Sequence, residues 1–215
     1  MRPLSASLLA TVSFALTLHA QTACTAKGKD RWSVKTSAPL TSVKAHAIAP
    51  AAFVQLAVPA TVSSKTKGAK TLEDRYPDAV NGLHEGELVS VTGWVRFIKT
   101  ASDDCDYHIQ VTPAENSDAG MIVAEVPEPD AIHVSDPSLR QQLATVRNAI
   151  MADLHLAKGP SKSGNVIGKA YMTFEGALFF DAWHYPDCGS RGVGMQAMTC
   201  WEIHPVTAAR FAPRP

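Results

Sequence analysis

From Glu87 to Lys99 the apolar residues fall on every second position. Val89, Val91, Gly93, Val95 and Phe97 alternate with Ser90, Thr92, Trp94 and Arg96. A period of two sends successive side chains to opposite faces, so this stretch reads as a strand with one buried face, and Gly93 marks a bend or bulge in it. Ser102-Asp103-Asp104 supplies a turn. Tyr107, Ile109 and Val111 then alternate with Asp106, His108, Gln110 and Thr112, a second strand in hairpin relation to the first. Met121–Val126 is a third, ended by Pro127 and Pro129. The pattern then changes period. Asp136 offers an N-cap, Pro137 a first position, and Leu139, Leu143, Val146, Ile150 and Leu154 recur at helical spacing until Gly159-Pro160. Beyond a Gly/Ser/Lys loop, Met172, Phe174, Gly176, Leu178 and Phe180 line one face of a long fourth strand. Ala197, Thr199, Trp201, Ile203 and Pro205 do the same for a fifth.

The expected class is therefore mainly β, a five-stranded barrel with one helix, in the order strand, strand, strand, helix, strand, strand. The first and fourth strands each carry a central glycine, Gly93 and Gly176, where a small barrel must bend sharply. Over residues 85–210 this order resembles the OB fold, a partly open five-stranded barrel with its helix between strands three and four. Four stretches also resemble an uncharacterised group of exported bacterial proteins: Asp106-Tyr107-His108-Ile109, Ala124-Glu125-Val126-Pro127, Phe179-Phe180-Asp181-Ala182-Trp183-His184 and Trp201-Glu202-Ile203-His204-Pro205-Val206. That resemblance implies the fold and export, and no activity. Thermonuclease-like barrels share the element order, but their paired acids and two arginines on defined strands have no counterpart here.

Charge divides the chain. The formal net charge is +0 overall, yet residues 1–70 hold nine Lys/Arg against one acid and residues 71–215 hold eleven against nineteen. Arg2, the uncharged Leu4 to Leu18 and the small Ala20 have the layout of a secretory signal peptide over residues 1–20. Cys24 offers a lipid-anchor alternative to plain periplasmic or secreted export, although Gln21 stands where such sites usually have Leu. No later stretch approaches the roughly 20 apolar residues of a membrane span. Residues 21–70 are rich in Ala, Thr, Ser, Lys and Pro, and read as a largely disordered tether in which Ala45–Val58 is apolar enough to dock. The domain is then 71–215. Its negative balance disfavours nucleic acid, which demands a basic groove. Export permits disulfides, Cys105–Cys188 being favoured over Cys188–Cys200 because the two neighbouring loops would be pinned together.

Strand phase also sorts the ionisable residues. Asp106 and His108 share the face opposite Tyr107 and Ile109, and Glu202 and His204 share the face opposite Trp201 and Ile203. Asp181 and His184 stand where the fourth strand enters its loop. The rim formed by the loops after strands one and four would hold Asp103, Asp104, Cys105, Asp187, Cys188 and Arg191. Two function classes follow. One is a binding module for a small or polymeric polar ligand such as a saccharide, with the outward-facing Trp94 and Tyr171 available to stack on it. The other is a divalent-metal hydrolase, zinc being the ion such donors suit. His108, His184, His204, Asp106 and Glu202 would be its ligands, Asp181 would join the acid/base set, and Arg191 would steady an anionic transition state. A partner-binding structural domain is a third option. Gly192-Val193-Gly194 lacks the strand–helix setting of a nucleotide loop, and Ser163 and Ser190 lack that of a nucleophile.

Overall fold

Three valines and an isoleucine of one long strand set the barrel's inner wall. A computed structural model describes residues 31–40, 44–62, 74–189 and 196–215. In it the elements are α1 (Trp32–Lys35), β1 (His46–Ala47), α2 (Pro50–Phe53), β2 (Leu88–Thr100), β3 (Tyr107–Thr112), β4 (Ile122–Val126), α3 (Pro137–Asp153), β5 (Asn165–Phe180) and β6 (Trp201–Phe211). β2 pairs antiparallel with β3 through Trp94–Thr100 and with β5 through Leu88–Ile98, so one thirteen-residue strand has a neighbour on each edge. The sheet order β2-β3-β4-β6-β5 closes on itself through that second pairing, with β4 and β6 parallel. This is a closed five-stranded barrel of the expected mainly-β, OB-like class. Closure leaves few free edges, which protects long Val-rich strands from pairing with other chains.

Inside it, Val89, Val91, Val95, Ile109, Phe174 and Ile203 belong to one core, each almost fully buried. Each such side chain contributes roughly 1.5–3 kcal/mol on leaving water. The predicted phase holds in β2 up to Val95 and then slips. A register shift between Val95 and Phe97 turns Ile98 inward, while the Phe97 ring lies against Gly164, which has no room for a side chain. Gly93 and Gly176 are where the strands crowd most. A methyl group on Gly176 would sit 2.2 Å from the carbonyl of Pro205, and on Gly93 2.7 Å from that of Thr112. α3 is capped as predicted, the Asp136 carboxylate accepting from the Ser138 amide at 2.8 Å, and its stripe Leu139, Leu143, Val146 and Ile150 is buried. It ends earlier than the Gly159-Pro160 signal, at Asp153, with His155 in the left-handed region.

The reading of residues 21–70 as a disordered tether does not hold for residues 31–40 and 44–62. His46–Ala47 adds a short parallel strand to Val89–Ser90, Phe53 is fully buried in the core, and the Trp201 indole donates to the carbonyl of Ala57 at 2.8 Å. Composition averages over a segment and misses single anchors. A polar stretch with one large ring in a fitted slot can be ordered by that ring, at roughly 1.5–3 kcal/mol, together with a few backbone bonds. The favoured Cys105–Cys188 pairing is also corrected: the bridge is Cys188–Cys200. The loop after β5 folds back on the start of β6, the Asp181 amide donating to the carbonyl of Cys200 at 2.8 Å, so Cys200 is the nearer partner. Cys105 is itself disulfide-bonded and its carbonyl is held by Arg147 of α3. Among the described residues no helix is long and apolar enough to cross a membrane. The leader at residues 1–20, Cys24, Ser190, Arg191 and Gly192–Gly194 lie outside the described residues.

Candidate metal centre

Strand alternation places Asp106, His108, Glu202 and His204 on the barrel's outer face, as expected. Their exposure is not as expected. Asp106 is 0%, His108 3%, Glu202 1% and His204 1% exposed. The outer face of β3, β4, β6 and the end of β5 is roofed by the segment that composition assigned to the tether. Arg31 anchors the roof: its guanidinium makes paired contacts with Glu85 at 2.7 and 2.6 Å, donates to the carbonyls of Phe180 and Asp74, and lies 4.4 Å from the Tyr76 ring centre. Trp32 donates to the carbonyl of His133 at 2.9 Å. One turn on, the Lys35 ammonium stands 3.8 Å from Asp104 and 5.8 Å from the Phe179 ring centre. That same ring packs edge-on to His204 at 5.5 Å.

Under the roof, Glu125 is the hub. It faces His108 directly across the β3–β4 ladder, and His108 Nδ1 donates to its Oε1 at 2.5 Å. His204 Nδ1 is 3.0 Å from Glu125 Oε2 and 3.7 Å from Glu202, while His204 Nε2 is 3.3 Å from Asp106 Oδ2. None of the three His204 contacts is aligned as a hydrogen bond, and Asp106 Oδ2 and His108 Nε2 are likewise buried without one. Buried polar atoms in that state call for an explanation, a bound water or ion being one. Asp106 is held by the peptide around it: its other oxygen accepts from the Glu128 amide at 3.2 Å, and Arg147 grips the preceding carbonyl while stacking 3.8 Å from the Tyr107 ring centre.

The electrostatics follow from burial opposed by neighbours. Burial pushes the Glu125 carboxyl up, but His108 and His204 outweigh it and hold it well below the usual range. Burial favours a neutral His204, yet Asp106, Glu125 and Glu202 hold its imidazolium well above the ordinary histidine value. Lys35 is treated the same way: burial works against its charge, and Glu125, Asp104, Asp181 and Glu202 more than restore it. Asp104 is pushed up to about 7 by burial and by the nearby Asp106 and Glu125. Among the described residues, Asp104, Asp106, Glu125, Asp181 and Glu202 thus share the Lys35 charge and the His108 and His204 imidazoles.

Donor atoms of Asp106, Glu125 and His204 all lie within 4.8 Å of one another and all three residues are buried. Zinc bonded at about 2.0–2.2 Å to each donor wants donors about 3.4 Å apart, which takes a side-chain adjustment and the loss of one His204 ring proton, since only the neutral imidazole ligates. Of the residues the sequence singled out, Asp106 and His204 belong to this set. His108 reaches it through Glu125, and Glu202 flanks it. Asp181 and His184 form their own pair at 2.5 Å, with Asp181 acting on Lys35 through its charge. Glu125 was missed, although its phase in Met121–Val126 places it outward, two residues from Val123. Trp94 is 6% exposed and packed 5.0 Å from the Tyr171 ring centre, with Arg214 nearby, so the expected open stacking surface is instead a covered aromatic pair. No family model, no curated protein and no solved structure matches the chain. The resemblance to a group of exported proteins therefore carries no family assignment, and the function must be read from the site.

Proposed function

We propose that this chain is an extracytoplasmic module that binds one divalent cation, of zinc-like preference, through Asp106, Glu125 and His204. The carrying observation is the convergence of three buried donor atoms from three neighbouring strand segments within 4.8 Å. Two carboxylates and an imidazole suit zinc or a similar first-row ion better than calcium, which prefers more oxygens, or copper(I), which prefers sulfur. The Cys188–Cys200 bridge supports an oxidising compartment. A hydrolytic centre keeps a coordination position open to substrate. Here α1 and Phe179 cover the cluster, which favours holding an ion over turning substrate over. The covered Trp94 likewise removes the support that a saccharide-binding reading drew from that side chain.

Zinc added to metal-free protein is expected to bind at one ion per chain by equilibrium dialysis. It should also raise thermal stability, by about 2.7 kcal/mol when free zinc is a hundredfold above the dissociation constant. Asp106→Asn and His204→Gln, checked for folding by circular dichroism, should each weaken binding at least tenfold. Folded wild-type protein that takes up no zinc at micromolar concentrations, or variants that bind it as well as wild type, would overturn the reading.

A further inference from the structure

Lys35 places a permanent positive charge in a pocket of acids. Its side chain is 11% exposed, and its nearest carboxylate oxygen, on Asp104, is 3.8 Å away. Glu125, Asp181 and Glu202 act on it from β4, the end of β5 and β6, so every strand end around the pocket contributes a negative charge. Two of those acids are shared, since Glu125 and Glu202 also flank His204. Lys35 and His204 also meet at one ring, the ammonium 5.8 Å from the Phe179 ring centre and the imidazole 5.5 Å from it, so a positive charge at either repels one at the other. A doubly charged ion on His204 would feel the same repulsion about twice over, because the interaction scales with charge. The means of relief is built in. It is a side-chain rotation. Lys35 ends a short helix held by Arg31 on Glu85 and Trp32 on His133, and the Leu40 amide beyond it donates to the carbonyl of Gly86. Its long side chain can therefore turn outward while the backbone stays in place.

We infer that Lys35 is the in-chain counter-cation of the acidic site, and that its ammonium and a divalent ion exclude one another, so that cation binding drives Lys35 out towards solvent. This rests on the metal-binding reading and adds regulation to it. The docked Lys35 lowers affinity for the ion, and a bound ion turns the Lys35 side chain out of the pocket. Because coupling between two sites is reciprocal, anything that holds Lys35 down weakens the metal and anything that removes it strengthens the metal.

The test uses the full chain and zinc alone. Amine-reactive footprinting read by mass spectrometry compares Lys35 with the exposed Lys162 and Lys169. In metal-free protein Lys35 should label much more slowly than these, and saturating zinc should bring it close to them. Lys35→Met should bind zinc more tightly by roughly 5–150-fold, the usual span of coupled sites, whereas Lys35→Arg should stay near wild type. Zinc that binds wild type and Lys35→Met equally, with Lys35 labelling unchanged, overturns this inference and leaves the metal site standing. Zinc that binds Lys35→Met at least about fivefold more tightly than wild type, with Lys35 labelling raised by zinc in wild type, supports it. Zinc binding to neither removes both. If Lys35→Met fails to fold, wild-type labelling with and without zinc decides alone.

Discussion

The two faces of β3, β4 and β6 are buried to the same degree and built from opposite chemistry. Inward go Ile109, Val111, Ile122, Ala124 and Ile203, all 0% exposed. Outward go His108, Gln110, Glu125, Glu202 and His204, none more than 7% exposed. The inner face is filled by volume and stabilised by removing apolar surface from water. The outer face is filled by charge, where a group is tolerable only while its partner is present. Equal burial therefore conceals unequal sensitivity: the lumen should respond to size, and the roofed face to charge at constant size.

The sharpest contrast is Glu125→Gln against Ile109→Val. Glu125→Gln conserves shape and removes one charge, leaving the buried His204 imidazolium without its nearest counter-ion. A loss of about 3–5 kcal/mol in the metal-free protein is expected, as for breaking a buried pair. Ile109→Val removes one methylene from the lumen and should cost only about 0.5–1.5 kcal/mol. Urea denaturation monitored by tryptophan fluorescence measures both. If the two losses are equal, or Glu125→Gln is neutral, the outer face is not held by charge and the comparison fails.

That contrast also marks how far the sequence was legible. Alternation sorted Asp106, His108, Glu202 and His204 onto the outside of the barrel, because the side-chain period of a strand is a local property. It could not say that the outside is covered, because the cover comes from residues more than seventy positions earlier whose composition is that of a linker. Arg31, Lys35 and Phe53 are scattered single anchors, and an average over Ala, Thr, Ser, Lys and Pro hides them. Glu125 was open to discovery by the same alternation, but only the β3–β4 register puts it opposite His108. Phe97 went the other way: a bulge at Arg96 shifts the phase, and nothing in the local pattern announces it.

The anchoring of the N-terminal segment in the core gives an effect of similar size. Phe53→Ala should destabilise the whole barrel by about 3–5 kcal/mol, the usual cost of removing a fully buried ring. A separable tether would predict no change in the unfolding midpoint. A denaturation curve that stays a single transition but moves to lower urea shows that the segment and the barrel are one cooperative unit. A second, earlier transition would show instead that the cover opens by itself, and would weaken the view that both faces are equally interior.

The smallest effect concerns how the roof is fastened on its far side. Asp130 accepts from the amides of Ile132 and His133 at 2.9 Å and from the His133 ring at 2.6 Å, and that ring lies edge-on to Trp32 at 5.6 Å. Burial nudges the Asp130 carboxyl upward, but the His133 and Ile132 contacts win and hold it below its ordinary value. A carboxylate with a lowered folded-state pKa lends stability above its unfolded value, near 3.9, and loses it as pH falls through the lower folded value. The Asp130 side chain is 35% exposed although the His133 ring is buried, so screening on the carboxylate side limits the pair's worth to about 1 kcal/mol. Asp130→Asn should lower the melting temperature slightly and by a constant amount above pH 5, with the gap to wild type closing below pH 4. A gap that persists at pH 2 would assign the effect to lost packing around His133 rather than to charge. The roof would then be held on this side, like the lumen, by fit.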